Sequence, residues 1–203
     1  MGRPSFCLCL TQEEKDGKIK TINQNRENVM LVRKTCLETP RLTLRPFLES
    51  DYQKAVELFK DPKVYATYML PDLRTEEESR KLFNYFQKAS NDLNAFVYAV
   101  SYQNAFAGFI NHVTKDEESI EVGYCIHPEY QNRGFATEAL KAALEELFRI
   151  GYKVVKAGHF KENLASGRVM QKAGMKKVEK VEKIAYRGRD HEVVCYEIRK
   201  DQR

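Results

Sequence analysis

The ten residues from His127 to Ala136 have the side chains and spacing of a loop that binds an anion. Gly134 and Ala136 allow close approach to the backbone, and successive N–H groups at the start of a helix attract negative charge together with the helix dipole. Arg133 can add a charge-assisted contact. The segment matches neither a P-loop nor the G-x-G-x-x-G dinucleotide fingerprint. It therefore predicts a pyrophosphate site of another class, although a purely steric turn glycine is the common alternative.

The predicted elements around this loop alternate between strand and helix. Pro128 ends the strand before the loop, Gly151 caps the helix after it, and Asn163 caps a second helix that stops at Gly174. Apolar residues at helical spacing mark the face of the first helix. The predicted elements are a strand over residues 119–126, a helix from about 134 to 150, a strand over 152–159, a helix over 163–173 and two final strands around 186–189.

The upstream half is predicted to supply more strands and two helices. Ser50 and Thr75 are each followed three residues later by Gln or Glu, which is the capping-box pattern of a helix start. These elements are a strand over residues 41–45, a helix ending near 61, a helix ending near 90, and strands over 94–101 and 106–113 joined by a short turn. The order indicates one mixed α/β domain over residues 37–200, with residues 1–29 as a flexible extension outside it.

Composition and charge indicate the type of protein and exclude several kinds of partner. The chain has 203 residues, 42% of them hydrophobic and 31% charged, which is typical of a globular protein. No apolar run approaches the roughly 20 residues that cross a membrane, so a cytoplasmic protein without a membrane partner is expected. The net charge of +5 is scattered, and nucleic acid is therefore not an expected partner. Five cysteines without a C-x-x-C pair and four histidines without ligand spacing predict no metal site.

Taken with these neighbours, the loop closely resembles the cofactor motif of the GNAT acetyltransferase superfamily, Q/R-x-x-G-x-G/A, with Gln131, Gly134 and Ala136 at its fixed positions. Further likeness to the branch that acetylates N-termini of ribosomal proteins covers residues 39–199. It rests on four segments, Arg41-Leu42-Thr43-Leu44-Arg45-Pro46, Glu121-Val122-Gly123-Tyr124, His127-Pro128-Glu129-Tyr130-Gln131, and Asn163-Leu164-Ala165-Ser166 followed by Gly174-Met175.

The resemblance implies a fold and a reaction. The fold would be a strongly bent, mostly antiparallel sheet with one splayed parallel strand pair, flanked by about four helices. The donor would be acetyl-CoA, and the acceptor an amine, either a peptide N-terminus or a small molecule, because the branch includes enzymes for both. The protein would be a monomer or a homodimer.

The resemblance also implies residue roles on the donor side. The pyrophosphate would lie against the loop, and Asn163 would contact the cofactor arm, although a helix cap alone also explains this asparagine. The Ile126 amide would stabilise negative charge on the thioester oxygen. The predicted cofactor-binding residues are Ile126, Gln131, Asn132, Arg133, Gly134, Phe135, Ala136 and Asn163.

Two residues are candidates for proton transfer in the predicted mechanism. Many superfamily members place a tyrosine acid seven residues after the asparagine, but this chain has Met170 there. Ser166 is the substitute candidate, with a structural role as its alternative. Glu121 is the candidate base because strand alternation puts it on one face with Gly123 and Cys125, and a surface or ion-paired glutamate is the equally consistent alternative.

The sequence has alternatives to direct acetyl transfer. A non-catalytic acetyl-CoA-binding module is the alternative that Met170 suggests. An acyl-cysteine at Cys125 lacks a recognisable His–Asp partner arrangement. The amine is expected to enter among the two early helices and residues 65–74, where Tyr65, Tyr68, Met69 and Leu70 offer apolar contact or belong to the core.

Overall fold

The computed structural model of the protein describes residues 31–202. Within that range the chain forms eight strands and five α-helices. They are β1 (Leu37–Glu38), β2 (Leu42–Arg45), α1 (Tyr52–Lys60), α2 (Pro62–Tyr65), α3 (Glu76–Asn91), β3 (Val97–Tyr102), β4 (Ala105–Lys115), β5 (Ser119–Ile126), α4 (Phe135–Arg149), β6 (Val154–Phe160), α5 (Leu164–Lys172), β7 (Lys176–Tyr186) and β8 (Arg189–Arg199).

The strands form one sheet in the order β1-β2-β3-β4-β5-β6-β8-β7. Neighbouring strands are antiparallel except β5 and β6, which run parallel. The connection between these two contains α4, as a parallel pair requires. The predicted mixed α/β class and its parallel pair are confirmed.

Helices cover both faces of the sheet because the central strands are apolar on both faces. Along β3, Val97 and Ala99 pack with the aromatic cluster of α1 and α3, whereas Tyr98 and Val100 pack with the core under α4. All four residues are buried. Strands buried on both faces read as continuous apolar runs, as residues 97–100 do here.

The two predicted capping boxes have different outcomes. Thr75 accepts a hydrogen bond from the Glu78 N–H, and the Glu78 carboxylate accepts one in return, so this prediction is confirmed. The box at Ser50 is wrong, because a 3₁₀ turn over Glu49–Asp51 precedes α1. There the Asp51 carboxylate accepts the Leu48 N–H at 2.8 Å and pairs with Arg45 at 2.7 Å.

One short helix, α2, was not expected from the sequence. Asp61 ends α1 and then caps α2, accepting the N–H groups of Lys63 and Val64 at 2.8 and 3.1 Å. Pro62 occupies the first turn, where its missing N–H costs nothing. The described chain therefore has five α-helices where about four were predicted, and the expected loop over residues 65–74 begins at the end of a helix.

The extension predicted over residues 1–29 lies outside the described residues, and the domain limits of 37–200 stay a prediction. Across the part of the chain that is described, no helix is long and apolar enough to cross a membrane.

Gly108 is required where β4 passes the last residues of β5, opposite Ile126. It has φ +153°, and a Cβ built on it would lie 2.2 Å from the Cys125 carbonyl oxygen. We expect Gly108→Ala to lower the free energy of unfolding by about 3 kcal/mol, measured by urea denaturation. Gly188→Ala is the control, since φ is +72° with nothing within 4 Å, and about 1 kcal/mol is expected. Equal losses would exclude the contact with Cys125 as the cause.

Candidate active site

The parallel strands separate soon after they begin. β5 and β6 are paired at only three positions, from Ser119 with Val154 to Glu121 with Lys156, and β6 then continues beside β8 alone. A cavity of about 620 Å³ opens at the separation, lined by residues 122–126 of β5 and 158–160 of β6. This is a usual size for a small-molecule site. The splay that the resemblance implied is present, and we call this cavity the cleft.

The backbone at the end of β5 faces the cleft. The Ala107 carbonyl of β4 accepts the His127 N–H at 2.8 Å, and Gly108 lies opposite Ile126. Because hydrogen-bonded and non-bonded pairs alternate in antiparallel strands, the Ile126 N–H and C=O point away from β4, toward the side where β6 has left. The carbonyl accepts the Gln131 side-chain amide at 2.9 Å. The Ile126 N–H is thereby directed at the cleft.

The predicted loop supplies further backbone N–H groups at one end of the cleft. Gly134, at φ +80°, is the N-cap of α4 and makes no side-chain capping bond, so the N–H groups of the first turn of α4 receive no cap from it. Asn132 also has a positive φ, +60°, which turns the chain tightly before the helix. Gln131, Asn132, Gly134, Phe135, Ala136 and Thr137 all line the cleft. The geometry is that of an anion site at a helix N-terminus.

Arg133 is placed differently from the other loop residues. Its guanidinium lies 4.6 Å from the Tyr102 ring centroid and 4.8 Å from that of Phe135, and Arg133 does not line the cleft. Its carbonyl accepts from Arg41 at 2.9 Å. The cations that do line the cleft on this side are Arg168 and Lys172 of α5. No sequence pattern singled these two out, because they come together with the loop only through the packing of α5 beside α4.

On the other face of the sheet the cleft is lined by aromatic and polar side chains. Tyr68 and Met69, two of the residues predicted to contact the amine, line it, whereas Leu70 is buried in the core. The Tyr68 hydroxyl donates to the Asn111 side-chain oxygen at 2.7 Å. A Cβ on Gly123 would lie 2.6 Å from that hydroxyl. The absence of a side chain on Gly123 therefore leaves room for the Tyr68 ring over β5.

Glu121 lies at the third residue of β5, at the last paired position before the strands separate. It does not itself line the cleft. The Thr114 hydroxyl donates to its carboxylate at 3.3 Å. Burial raises the pKa of Glu121 to about 7, and the nearby Glu182 acts in the same direction. A carboxyl group with this pKa can accept a proton near neutral pH.

The first turn of α5 forms the wall of the cleft facing β5. The Asn163 side chain accepts the Ser166 N–H at 3.2 Å, which confirms the predicted cap, and both residues line the cleft. Met170, one turn further, is 1% exposed and offers no hydroxyl. The Tyr124 hydroxyl lies 2.8 Å from the Ser166 Oγ. Alternation along β5 puts Tyr124 on the same face as Ile126, so the two-residue period of the strand is the sequence signal that points to Tyr124.

Cys125 lines the cleft as a free thiol. Desolvation raises its pKa to about 12, and Asp61 adds to this effect, so the thiolate needed for an acyl-cysteine is disfavoured at neutral pH. Among residues 31–202, no group of three or more His, Cys, Asp or Glu side chains could hold a metal ion.

The structure thus brings most of the predicted site together. Ile126, Gln131, Asn132, Gly134, Phe135, Ala136, Asn163 and Ser166 line one cleft. Glu121 lies just outside the cleft, at the last paired position before β5 and β6 separate. The Arg133 side chain lies over the Tyr102 ring and does not line the cleft.

Comparison with known proteins identifies the family. A family model described as an acetyltransferase (GNAT) domain matches residues 41–176. The uncharacterized N-acetyltransferase YnaD of Bacillus subtilis (strain 168) is 30% identical over 143 residues, which cover 70% of this chain and 82% of YnaD.

Solved structures share the fold. A GNAT-family acetyltransferase from Bacillus anthracis is similar with a TM-score of 0.71 and 26% identity, over 82% of this chain and 99% of that one. RimL, a ribosomal L7/L12 alpha-N-protein acetyltransferase in complex with coenzyme A, has a TM-score of 0.72 at 21% identity, over 83% of this chain and 99% of RimL. The matched residues include the loop, α4 and the whole of α5, and the chain belongs to the GNAT family of N-acetyltransferases.

Proposed function

We propose that the protein transfers the acetyl group of acetyl-CoA to a primary amine by direct attack of the amine on the thioester. The observation that carries this proposal is a cleft that reaches both faces of the sheet between β5 and β6. The loop and α5 line it on one face, and Tyr68 and Met69 line it on the other. Two substrates can therefore meet at the end of β5 from opposite sides.

The charge of the cleft favours a polyanionic donor. No residue that lines it in the described chain is Asp or Glu, whereas Arg168 and Lys172 lie on the donor side. The N–H groups of residues 132–136 would hold the pyrophosphate, and Asn163 would contact the pantetheine arm. The RimL structure, which shares the fold, contains coenzyme A. The residues present thus fit the donor.

The residues at the end of β5 would carry the chemistry. Acetyl-CoA supplies an acetyl group activated as a thioester. The Ile126 N–H would donate to the thioester oxygen as that oxygen gains negative charge. Glu121 would take the proton that the attacking amine must lose, through a water relay because its carboxylate lies outside the cleft wall. Ser166 would face the departing sulfur. The raised pKa of Cys125 supports direct transfer over a route through an acyl-cysteine.

The acceptor is proposed to be a peptide N-terminus or a small primary amine. RimL acts on a protein α-amine, as its name states. A peptide N-terminus has an amine pKa of about 8, so a substantial fraction is neutral near physiological pH, whereas only a small fraction of a lysine side chain is neutral there. The apolar side chains of Tyr68 and Met69 can contact the residue that bears the amine.

Release of free thiol from acetyl-CoA tests this function. The full chain is mixed with acetyl-CoA and a panel of acidic, neutral and basic peptides, polyamines and aminoglycosides, and thiol is measured with a chromogenic reagent. We expect release that depends on the amine and on enzyme concentration, with the acetylated product visible by mass spectrometry. Absence of both binding and release at millimolar acetyl-CoA would contradict the proposal.

A non-catalytic acetyl-CoA-binding module is the second candidate, and buried Met170 at the usual acid position favours it. It predicts a calorimetric signal with acetyl-CoA but no thiol release with any amine in the panel. The same two measurements therefore separate the candidates.

A further inference from the structure

Tyr124 makes a hydrogen bond across the cleft. Its hydroxyl lies 3.0 Å from the Ser166 carbonyl oxygen and 2.8 Å from the Ser166 Oγ, 42 residues away in the chain. Tyr124 belongs to β5, and Ser166 belongs to α5, which follows β6. The contact therefore joins the two sides that the separation of β5 and β6 divides. Both residues line the cleft.

The position of Ser166 is set by its neighbours on α5. Its N–H donates to the Asn163 side chain at 3.2 Å, so the cap fixes the first turn of the helix against the cleft. The Ser166 hydroxyl has one proton to donate, and the Tyr124 hydroxyl also has one. The two oxygens can share these protons in two ways.

In the first arrangement, Tyr124 donates to the Ser166 carbonyl, and the Ser166 hydroxyl donates to Tyr124. In the second, Tyr124 donates to the Ser166 Oγ, and the Ser166 proton is free to point into the cleft. Negative charge in the cleft favours the second arrangement, because it places a donor next to the charge. Desolvation raises the pKa of Tyr124, so its proton is retained throughout the working pH range.

Resting on the proposed function, we propose that Tyr124 is a positioning residue that turns the Ser166 hydroxyl toward the departing sulfur. In the transfer, the N–C bond forms and the C–S bond breaks, and the electron pair of the C–S bond stays on sulfur. The sulfur accepts the Ser166 hydrogen bond while the amine releases its proton to Glu121 and solvent. The thiolate then takes one proton from solvent, so protons balance. Tyr124 and Ser166 together thus stabilise the negative charge on the departing sulfur, which Met170 cannot do because it has no hydroxyl.

The thiol of bound coenzyme A reports on this arrangement without turnover. A donor aimed at sulfur stabilises the thiolate and lowers the thiol pKa, which the ultraviolet absorbance of the thiolate measures in a pH titration of the binary complex. We expect Tyr124→Phe to raise the pKa of the bound thiol by about one unit. We also expect kcat to fall roughly tenfold to a hundredfold, with the dissociation constant of coenzyme A changed less than about threefold.

Two further variants separate this role from that of a structural link. Ser166→Ala should raise the thiol pKa by a similar amount, and the Tyr124→Phe/Ser166→Ala double variant should add little, because the two hydroxyls act as one unit. Tyr98→Phe is the matched control, since it also removes a buried hydroxyl bonded to a backbone carbonyl, that of Lys34, away from the cleft. It should leave both thiol pKa and kcat unchanged.

The possible failures are distinguishable. A wild type that does not bind coenzyme A would overturn the proposed function and this inference together. A wild type that binds it, with Tyr124→Phe leaving the thiol pKa at the wild-type value, would overturn only the role of Tyr124. A fall in thermal stability without a change in thiol pKa would identify the contact as a structural link and would also overturn it.

Discussion

Replacing Gly134 with glutamate is expected to weaken acetyl-CoA binding at least a hundredfold, measured by calorimetry. Gly134 is the N-cap of α4, and the N–H groups after it face the proposed pyrophosphate site. A carboxylate at this position would compete for those N–H groups and repel the diphosphate. A hundredfold loss corresponds to about 2.7 kcal/mol, which is a reasonable cost for opposing like charges in a partly enclosed site.

Two matched variants assign the cause of that loss. Gly134→Gln adds nearly the same volume and the same backbone strain at φ +80°, but no charge, and should weaken binding less than Gly134→Glu. Gly188→Glu adds the same side chain at φ +72° in the β7–β8 turn, with nothing within 4 Å of its Cβ, and should bind like wild type. The loop assignment is wrong if Gly134→Glu binds acetyl-CoA as tightly as wild type, or if Gly188→Glu loses as much.

The loop was predictable because its signal is local. Gly134, Asn163 and the apolar spacing of α4 each act on residues within a few positions, and the structure places all three where their types require. The capping box at Thr75 succeeded for the same reason. At Ser50 an equally good pattern failed because the buried Asp51 carboxylate bonds to Leu48 and Arg45 instead.

The other parts of the site depend on contacts between distant segments. Tyr124 meets Ser166 only because β5 and β6 separate and α5 folds back over the gap. Tyr68 reaches Asn111 because Gly123 leaves room for its ring, and neither partner is near it in the chain. The type and position of Arg133 predict contact with an anion, but in the structure its guanidinium lies over two aromatic rings. Such pairings follow from tertiary packing, which the residue pattern does not contain.

Glu121→Gln is expected to lower kcat by about a hundredfold or more while leaving the dissociation constant of acetyl-CoA unchanged. Burial raises the pKa of Glu121 to about 7, so the fraction of Glu121 in the carboxylate form, which accepts a proton, increases as pH rises through 7. The wild-type kcat should therefore rise with pH around that midpoint. In Glu121→Gln this rise should be absent, and amines of lower pKa, which lose their proton more readily, should be affected less.

The same substitution should stabilise the folded protein. The upward shift of the Glu121 pKa means that ionising this carboxyl group lowers the free energy of unfolding, and Glu121→Gln removes that cost. A folded-state pKa of about 7 against the usual 4.5 means that the folded chain binds this proton more tightly than the unfolded chain. Stability is therefore lost as pH rises from about 4.5 to 7, and the loss is complete above 7. Relative to wild type, Glu121→Gln should gain about 1 kcal/mol near pH 5 and on the order of 3 kcal/mol near pH 8.

Urea denaturation at the two pH values measures this gain, and the kinetic and equilibrium results together decide the role of Glu121. Lower kcat with higher stability at pH 8 is expected of a base that burial keeps poised near neutral pH, since function then opposes stability at one residue. An ion-paired surface glutamate predicts the reverse, because its removal would cost a little stability and leave the pH–rate profile intact. An unchanged profile in Glu121→Gln would therefore remove Glu121 as the base, whatever its effect on unfolding.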